Sequence, residues 1–468
     1  MSMTFCHRVF ADWLSKTLPG KSMFYYILSP HRLLLIGFIT IILAGSLLLT
    51  LPVALARGTG ESQPFIDALF TATSAVSTTG LTLVDVGSFY SLFGQIVILT
   101  LVQIGGLGYM IFIVLVMSGL GIRLSLSGKL ILQESLTSPP YEEVLRFSKM
   151  VVFVTFAFEF LGAAVLSLYW MKDFSVQHAI YLGIFHSVSA FCTAGFSLFP
   201  DNLCSCRDSM VINITIDALC ISGSIGFVVL YDIYYAIFGK LKEDEPPKRL
   251  LVHTKLVLLM LPALFMIGFL MVFISEWSTP LSWKDRLLTC AFQVISASTT
   301  TGFNTVETGA MKTLGLASVI FLMYIGASPG GTGGGVKTTT FGLSISSVIS
   351  VISQHDELIV FGRHISSRVK DKALAICAIA LLLIMLDVFI LSVTEKASFM
   401  EIVFETVSAF GTVGLSAGIT ASLSVTGKAV LLTTMLIGRV GPLAVGYSIR
   451  GKCRIVPVKY PEGVMLVG

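Results

Sequence analysis

A short pattern that occurs four times constrains this chain more than any other feature. Each copy begins with Ser-Ala and reaches a glycine six positions later. The four copies are Ser74–Gly80, Ser189–Gly195, Ser296–Gly302 and Ser408–Gly414. Because the glycines recur at a spacing of about 110 residues, the pattern indicates one structural unit used four times. Thr- and Gly-rich loops related in this way suggest a ring of backbone carbonyls around one axis.

The composition places most of the chain in a lipid environment. Charged residues account for 12% of the sequence and hydrophobic residues for 54%, and this share of charge is about half the share usual in soluble domains. Several runs lack charges over the roughly 20 residues that span a bilayer. We expect spans at about 33–53, 93–120, 149–171, 209–238, 255–275, 313–352, 373–394 and 425–448. The sixth is too long for one plain helix and contains a glycine cluster.

Shorter apolar stretches lie between paired spans. They are Phe65–Val76, Ile180–Phe191, Leu287–Ala297 and Ile402–Phe410, and each ends at one of the four motifs. At roughly 10–12 residues they are too short to cross a membrane and fit re-entrant helices. The sequence thus predicts an all-α membrane protein with eight spans, in which four tandem repeats of span, pore helix, filter loop and span surround one pore. The predicted repeats are 33–120, 149–238, 255–352 and 373–448, between an N-terminal segment 1–32 and a tail 449–468.

The distribution of basic residues predicts the orientation in the membrane. The segments that join one unit to the next carry many of them, as in Lys240, Lys242, Lys248 and Arg249, and both termini add more, whereas the side with the motifs has few. Because cytoplasmic loops are enriched in Lys and Arg, we expect both termini in the cytoplasm and the motifs near the outer face. All four units then run in the same direction, which disfavours a transporter built from inverted repeats.

The motifs have the composition that a cation filter needs. A cation that crosses a membrane loses its water and must find oxygens instead, and backbone carbonyls supply them. Aiming successive carbonyls at one axis requires conformations that glycine tolerates, and each half-helix directs its partly negative C-terminal end at the pore. The candidate filter residues are Thr78, Thr79, Gly80, Thr193, Ala194, Gly195, Thr300, Thr301, Gly302, Thr412, Val413 and Gly414. No Asp or Glu lies within the motifs, which argues against a divalent-ion site. The alternative is that these loops serve only as turns.

A glycine cluster interrupts the predicted span 313–352, and no helix survives the composition of residues 326–337. A phosphate-binding loop would need Gly-x4-Gly-Lys-Ser/Thr, but Val336 separates Gly335 from Lys337, so the spacing fails. Irregular backbone at membrane depth is tolerated where it lines a cavity or is buried in protein. We therefore interpret the segment as a gate below the filter, with a passive packing kink as the alternative. The candidate gate residues are Gly330, Gly331, Gly333, Gly334, Gly335, Lys337 and Arg439.

Several ionisable residues lie at membrane depth, where such groups usually have a partner. Arg439 is in the last predicted span, and the carbonyls of Gly330–Gly335 are candidate acceptors for its donors. Asp217 is a candidate partner of Lys337 or Arg439. The remaining groups are Glu159 and Asp387 in spans, Asp67 and Glu405 at similar places in the first and fourth half-helices, and His186, which we interpret as a packed residue.

Longer motifs give the chain a resemblance to the pore-forming subunits of the Trk/Ktr/HKT superfamily of potassium transporters. They are Phe65–Leu81, Gln103–Gly108, Ala327–Thr338 and Gly438–Leu443, and the likeness covers about residues 33–468. The short first unit and the ending after Tyr460 look more like the KtrB branch than the TrkH branch. The resemblance implies that the four loops select potassium, since sodium-selective plant relatives have serine where Gly80 stands. It also implies that residues 326–337 form an intramembrane gating loop.

The resemblance further implies a homodimer with one pore per subunit, in a cell membrane, and a cytosolic ring of nucleotide-binding regulatory subunits. We expect no cofactor in this chain and no nucleic-acid partner. Potassium is then the transported ion, bound at the filter only, and the role of sodium as an activator stays open.

Three classes of function compete. Channel-like potassium uptake, which is not an enzymatic activity, is favoured. A sodium-coupled secondary transporter on the same fold would need a second ion site. A membrane enzyme would need a cluster of catalytic groups that face one cavity, and the sequence gives no sign of one.

Overall fold

The computed structural model describes residues 30–56, 63–108, 144–238, 250–278, 282–355 and 357–450, and these ranges are predominantly helical. Around the first motif lie α1 (Pro30–Leu49), α2 (Phe65–Val76), the one-turn α3 (Val86–Phe89) and α4 (Leu92–Leu107). Around the second lie α5 (Val144–Trp170), α6 (Val176–Phe191), α7 (Met210–Ser224) and α8 (Phe227–Phe238).

The second half of the chain has a similar order of helices. Around the third motif lie α9 (Val252–Ser275), α10 (Trp283–Ser298), α11 (Thr313–Ile325) and α12 (Thr338–Ile352). A small antiparallel hairpin follows, in which β1 (Ile359–Val360) pairs with β2 (Arg363–His364). Around the fourth motif lie α13 (Ser367–Thr394), α14 (Phe399–Gly411), α15 (Val425–Val440) and α16 (Pro442–Arg450).

Three described helices are long and apolar enough to cross a membrane, namely Phe147–Trp170 within α5, α9 and α13. Two helix pairs meet the same criterion together but bend sharply, by 92° between α7 and α8 and by 96° between α15 and α16. Large apolar side chains point outward from the long helices. Phe153 and Phe160 on α5 are 74% and 73% exposed, and Phe389 on α13 is 70% exposed. A surface of this kind is suited to lipid rather than to water.

The two sharp bends differ from the plain spans expected at 209–238 and 425–448. Gly226, between α7 and α8, has a φ of +97°, and Gly441, between α15 and α16, has a φ of +95°. This left-handed conformation ends a helix and is open to glycine at little steric cost. Pro442 follows Gly441 and begins the next helix, where its missing N–H is not needed. Hydropathy alone does not register either bend because both flanking helices remain apolar.

The four short helices α2, α6, α10 and α14 precede the four motifs. Three of them begin several residues before the apolar stretches from which they were expected. Two of these three helices have an acidic residue in the first turn and a capping serine before it: Ser282 Oγ accepts a hydrogen bond from the N–H of Asp285 at 3.2 Å, and Ser398 forms a capping box with Glu401. Such caps satisfy backbone N–H groups at a helix start. A pattern of apolar residues therefore underestimates the length of these helices.

The best-buried side chains surround the motifs. Phe191, Phe196 and Phe303 are at most 1% exposed and pack between neighbouring short helices. The loops are thus fixed by a packed apolar layer around them.

Some predictions concern residues outside the described ranges. They include almost all of the segment 1–32 and of the tail 449–468, the end of the predicted span 93–120 after Gly108, and the basic linker around Lys240–Lys248.

Candidate functional site

Each motif begins at the C-terminal end of a short helix and turns there in the same way. One threonine per motif has a positive φ: Thr78 (52°), Thr193 (50°), Thr300 (57°) and Thr412 (51°). The N–H of this threonine donates to the carbonyl of the motif alanine at 3.1–3.2 Å, and the next N–H donates to the carbonyl of the motif serine at 2.8–2.9 Å. This turn satisfies the last helix carbonyls. The backbone that follows is then free to face another direction.

The serine that opens each motif explains the fixed distance to the glycine. In two motifs its hydroxyl accepts a hydrogen bond from the N–H of the glycine: Ser74 from Gly80 at 3.0 Å and Ser408 from Gly414 at 3.1 Å. In the other two it donates to the carbonyl just after the glycine: Ser189 to Phe196 at 2.8 Å and Ser296 to Phe303 at 2.6 Å. A hydroxyl can do both, so one residue type ties all four loops back to their helices.

The four glycines form a closed ring with the carbonyls of neighbouring loops. A Cβ atom added to each glycine would collide with the carbonyl just before the next glycine: Gly80 with Ala194 O at 2.3 Å, Gly195 with Thr301 O at 2.2 Å, Gly302 with Val413 O at 2.0 Å and Gly414 with Thr79 O at 2.0 Å. The fourth contact returns to the first loop, so the four loops surround one axis in chain order.

The chemistry of this ring suits a monovalent cation. Its backbone carbonyls are neutral oxygens, which can replace the hydration shell of an ion. The four helices end at the loops, and helix C-termini carry partial negative charge. In the described part of the chain, no group of three or more His, Cys, Asp or Glu side chains is arranged to hold a metal ion. The ring therefore provides oxygen ligands without a formal charge.

Residues 326–337 connect α11 to α12 without helical structure and lie against the left-handed threonines. Thr78 Oγ1 donates to Thr332 O at 3.1 Å, and Thr193 Oγ1 donates to Thr332 Oγ1 at 3.1 Å. The other two threonines lie where a Cβ would project from a glycine: Thr300 Oγ1 is 2.1 Å from a Cβ added at Gly333, and Thr412 Oγ1 is 2.3 Å from one added at Gly334. Residues 332–334 thus touch all four loops on one side of the ring.

Two cationic side chains bind the carbonyls of this segment. Arg439, near the end of α15, donates from Nη1 to Thr332 O and from Nη2 to Gly105 O in α4. Lys337 Nζ donates to Gly333 O at 2.5 Å and lies 3.4 Å from Gly334 O. Hydrogen bonds from charged donors are stronger than neutral ones. Arg439 therefore joins the segment to α15 and α4, and Lys337 stabilises the turn within the segment.

The bend between α7 and α8 provides further backbone partners for the segment. Three hydrogen bonds join them: Thr332 N to Gly223 O at 3.1 Å, Ser328 N to Ser224 O at 3.1 Å and Phe227 N to Gly330 O at 3.0 Å. A bend of 92° leaves backbone groups without their helical partners, and buried groups of this kind need other ones. Sequence analysis missed both this contact and Thr332. The available signals were the small residues Ser222, Gly223, Ser224 and Gly226 inside an apolar run and a threonine placed within the glycine cluster.

The other ionisable groups at membrane depth have separate surroundings. Asp217 pairs with neither Lys337 nor Arg439, and its Oδ1 is buried without a hydrogen-bond partner among the described residues. Three further carboxylates have these partners: Glu159 with Gln103 at 3.3 Å, Asp387 with Thr434 at 2.6 Å and Asp67 with Lys428 at 2.6 Å. His186 is fully buried among aromatic rings.

The known proteins that resemble this chain are cation transporters. Residues 37–450 match the family model TrkH, described as a cation transport protein. The chain is 38% identical to the Ktr system potassium uptake protein B of Bacillus subtilis, over 94% of this chain and 97% of that protein. It is 35% identical to the potassium/sodium uptake protein NtpJ of Enterococcus hirae, over 94% and 98%. Its fold matches the crystal structure of the potassium transporter TrkH from Vibrio parahaemolyticus with a TM-score of 0.69 at 19% identity, over 92% of this chain and 86% of that one.

Proposed function

Because this chain belongs to the TrkH family of cation transport proteins, we propose that it carries potassium into the cell along the axis of the four loops. Relatives that it matches over nearly their whole length are named for potassium uptake. The activity is transport across the cell membrane and not catalysis.

The closed ring of glycines and carbonyls is the observation that carries this proposal. A potassium ion that enters from the motif side exchanges water for the carbonyl oxygens of Thr79, Ala194, Thr301 and Val413. The carbonyls before these residues extend the same path. The candidate filter residues 78–80, 193–195, 300–302 and 412–414 act through their backbone, so side-chain identity matters less than the conformation it allows.

The segment 326–337 acts as the gate of this path. Residues 332–334 lie against all four threonines that follow the short helices, which closes the path directly below the ring. Arg439 keeps the segment there, Lys337 bonds to carbonyls within the segment itself, and both add positive charge that opposes a cation. Gly333 and Gly334 permit the close approach to Thr300 and Thr412. Opening requires the segment to leave the threonines and Arg439, whose charged hydrogen bonds each contribute roughly 1.5–3 kcal/mol.

The arrangement in the membrane follows from the repeated unit. Eight spans cross the bilayer in four tandem repeats, 33–120, 149–238, 255–352 and 373–448, and both termini lie in the cytoplasm because the basic residues concentrate on that side. The protein acts as a homodimer with one path per subunit. A cytosolic nucleotide-binding regulatory subunit controls the gate, and the word "system" in the names of the relatives supports a multicomponent assembly.

A sodium-dependent version of this function is the second candidate. One relative at 35% identity is named a potassium/sodium uptake protein. Sodium would then act as a coupled ion or as an activator on the same fold. Potassium uptake measured with and without external sodium separates the two candidates: uptake that requires sodium supports the second, and equal uptake supports the first.

Growth of potassium-limited cells tests the main proposal. We expect a strain without other potassium uptake to grow at low potassium when it produces this chain together with a regulatory subunit of the Ktr type. Production of the chain alone should give weaker growth, and the Gly302→Ser variant serves as the matched control. Failure of both the chain and the pair, with the protein present in the membrane, would contradict potassium uptake.

A further inference from the structure

The four short helices carry a second set of equivalent positions, nine residues before each motif glycine. These positions hold Thr71, His186, Gln293 and Glu405. All four residues are at most 1% exposed. Because the four helices end in the same turn, equal spacing places these side chains at corresponding points behind the four loops. They do not line the axis, but they are close enough to affect the loops that do.

Two of the four side chains bond to the residue two positions after the motif glycine. His186 Nε2 lies 3.0 Å from Ser197 Oγ, behind the second loop. Glu405 Oε1 accepts a hydrogen bond from Ser416 Oγ, behind the fourth loop. The loops surround the axis in chain order, so the second and fourth loops lie on opposite sides of it. Each of these two opposite loops is therefore hydrogen-bonded to its own short helix. The bond lies at the end of the loop that is farther from residues 326–337, which we call the gate segment.

The other two positions do not make this contact. Thr71 Oγ1 accepts a hydrogen bond from Tyr90 OH at 3.3 Å. Gln293 has no hydrogen-bond partner for its amide among the described residues. The contact to the loop is thus a property of two side chains and not a general requirement of the repeated fold.

Glu405 differs from the other three because it carries a carboxylate. Its Oε1 accepts from two hydroxyls, Ser416 Oγ and, at 2.8 Å, Thr420 Oγ1. In the described part of the chain no Lys or Arg forms an ion pair with it. A buried carboxylate without a cation is costly to stability, and a neutral side chain would avoid that cost. In its ionised form this carboxyl places negative charge behind one loop, which favours a cation within the ring.

We propose that Glu405 is a specificity-determining positioning residue, which sets the outer end of the fourth loop through Ser416 and favours a cation there through its charge. This inference rests on the proposed function of the four loops as a potassium filter. Glu405 acts through the loop and does not touch the ion. Substitution of Glu405 should therefore change the ion preference and the apparent affinity for potassium more than the maximal rate of uptake.

Two substitutions weaken the link between Glu405 and Ser416, one from each end. Glu405→Gln keeps the shape and removes the charge, and Ser416→Ala removes the hydroxyl. We expect each variant to lower the preference for potassium over sodium, and the apparent affinity for potassium, by roughly tenfold in purified protein in lipid vesicles. Because both changes break one connection, the double variant should be little worse than the more affected single variant.

Glu395→Gln is the matched control. Glu395 is a carboxylate of the same region that also binds a serine, since Ser424 N donates to its Oε2 at 3.0 Å, but in the described ranges its hydrogen bonds do not reach the residues directly after a motif glycine. We expect this variant to keep the ion preference of the unaltered chain. All rates are normalised to folded protein, measured by thermal denaturation of each purified variant.

Gly414→Ser is measured in the same assay to keep the two proposals separable. If Glu405→Gln and Ser416→Ala match the control while Gly414→Ser loses its ion preference, Glu405 has no such role and the filter stands. If all of them keep the ion preference, both proposals are wrong. A lower rate with an unchanged ion ratio would also overturn the role of Glu405. If Glu405→Gln does not fold, Ser416→Ala alone decides the matter by its ion ratio.

Discussion

At the scale of single residues, each loop contains two left-handed positions that serve different purposes. The glycine position is left-handed because a neighbouring carbonyl occupies the place of a side chain, as Thr79 O does at Gly414. The threonine position is left-handed although β-branched residues rarely adopt this conformation. Its N–H closes the helix, and in Thr78 the side chain also reaches the gate segment. One loop therefore joins the pore helix, the ring and the gate.

The first prediction concerns the ring. Gly414→Ser places a side chain 2.0 Å from Thr79 O, so the loops must move apart. We expect the preference for potassium over sodium to fall roughly tenfold, or about 1.4 kcal/mol. Gly418→Ser is the matched control, because Gly418 also has a left-handed φ but nothing lies within 4 Å of an added Cβ. Equal potassium-to-sodium uptake ratios in the two variants would contradict the ring.

Sequence reasoning at this scale found the glycines but not the reasons for their neighbours. The sequence showed that each motif begins with a serine but gave no reason for it. The structure gives the reason, because the serine hydroxyl bonds to the glycine N–H or to the carbonyl after the glycine. For Arg439 the loop carbonyls were expected as acceptors, and Thr332 O is one. The second acceptor, Gly105 O, belongs to a distant part of the sequence. No local pattern indicates a contact of that kind.

At the scale of elements, the broken helices are connected to each other through the gate segment. The segment between α11 and α12 forms hydrogen bonds with the backbone groups that the bend between α7 and α8 leaves unpaired. It also accepts a hydrogen bond from Arg439 near the end of α15, just before that helix bends. Breaks in three helix pairs therefore meet beneath the ring. Movement of the segment requires new partners for backbone groups in at least two of them.

The second prediction concerns the cation that fixes the gate. Arg439→Gln removes charged hydrogen bonds worth roughly 1.5–3 kcal/mol each, enough to shift a two-state gate tenfold or more. We expect higher basal uptake per folded molecule. Lys428→Gln is the matched control, since it removes a positive charge from the other end of α15, where Lys428 pairs with Asp67. A passive kink instead predicts poorer folding of Arg439→Gln with unchanged or lower uptake per folded molecule.

The third prediction concerns the bend that supports the gate. An added Cβ at Gly226 would lie 2.6 Å from Pro329 O, whereas at Gly441, which has a similar φ, nothing lies within 4 Å. Alanine at either position incurs strain of order 1 kcal/mol. We expect Gly226→Ala to displace the segment and raise basal uptake several-fold more than Gly441→Ala does. If both variants alter uptake per folded molecule equally, the bend has no specific role in gating.

Hydropathy predicted the order of the elements better than their shape. It located the short helices because their apolar stretches are well separated, but it missed the first turns of three of them, such as the one that Ser398 and Glu401 cap. It also treated residues 209–238 as one plain span, because the bend at Gly226 changes direction without changing polarity. Backbone direction depends on the conformation of one or two residues, which an average over an apolar window does not report.

At the scale of the whole molecule, one chain supplies every part of the proposed path. Four loops in chain order surround the axis, and one segment from the third region touches all four of them. Under the proposed gating role, a single movement of this segment would open or close the path. The segment would also respond to movements of α7, α8 and α15, to which its hydrogen bonds join it.

The fourth prediction follows from this closed arrangement. The chain without a regulatory subunit should show low basal uptake, and addition of the subunit with its nucleotide should raise uptake at least several-fold. Arg439→Gln should narrow this difference, because its gate is already released. Vesicle uptake with and without the subunit measures the effect. If the subunit raises uptake by the same factor in the unaltered chain and in Arg439→Gln, regulation does not act through the segment 326–337.

Ion selectivity of the purified chain tests the central claim most directly. The potassium-to-sodium permeability ratio is obtained in lipid vesicles under opposed gradients of the two ions, for the unaltered chain and for Gly302→Ser. We predict a ratio of at least about ten for the unaltered chain and a ratio near one for the variant, because a side chain at Gly302 displaces Val413 O from the ring. Equal permeability to both ions in the unaltered chain, or the same high ratio in both proteins, would contradict selection by the four loops.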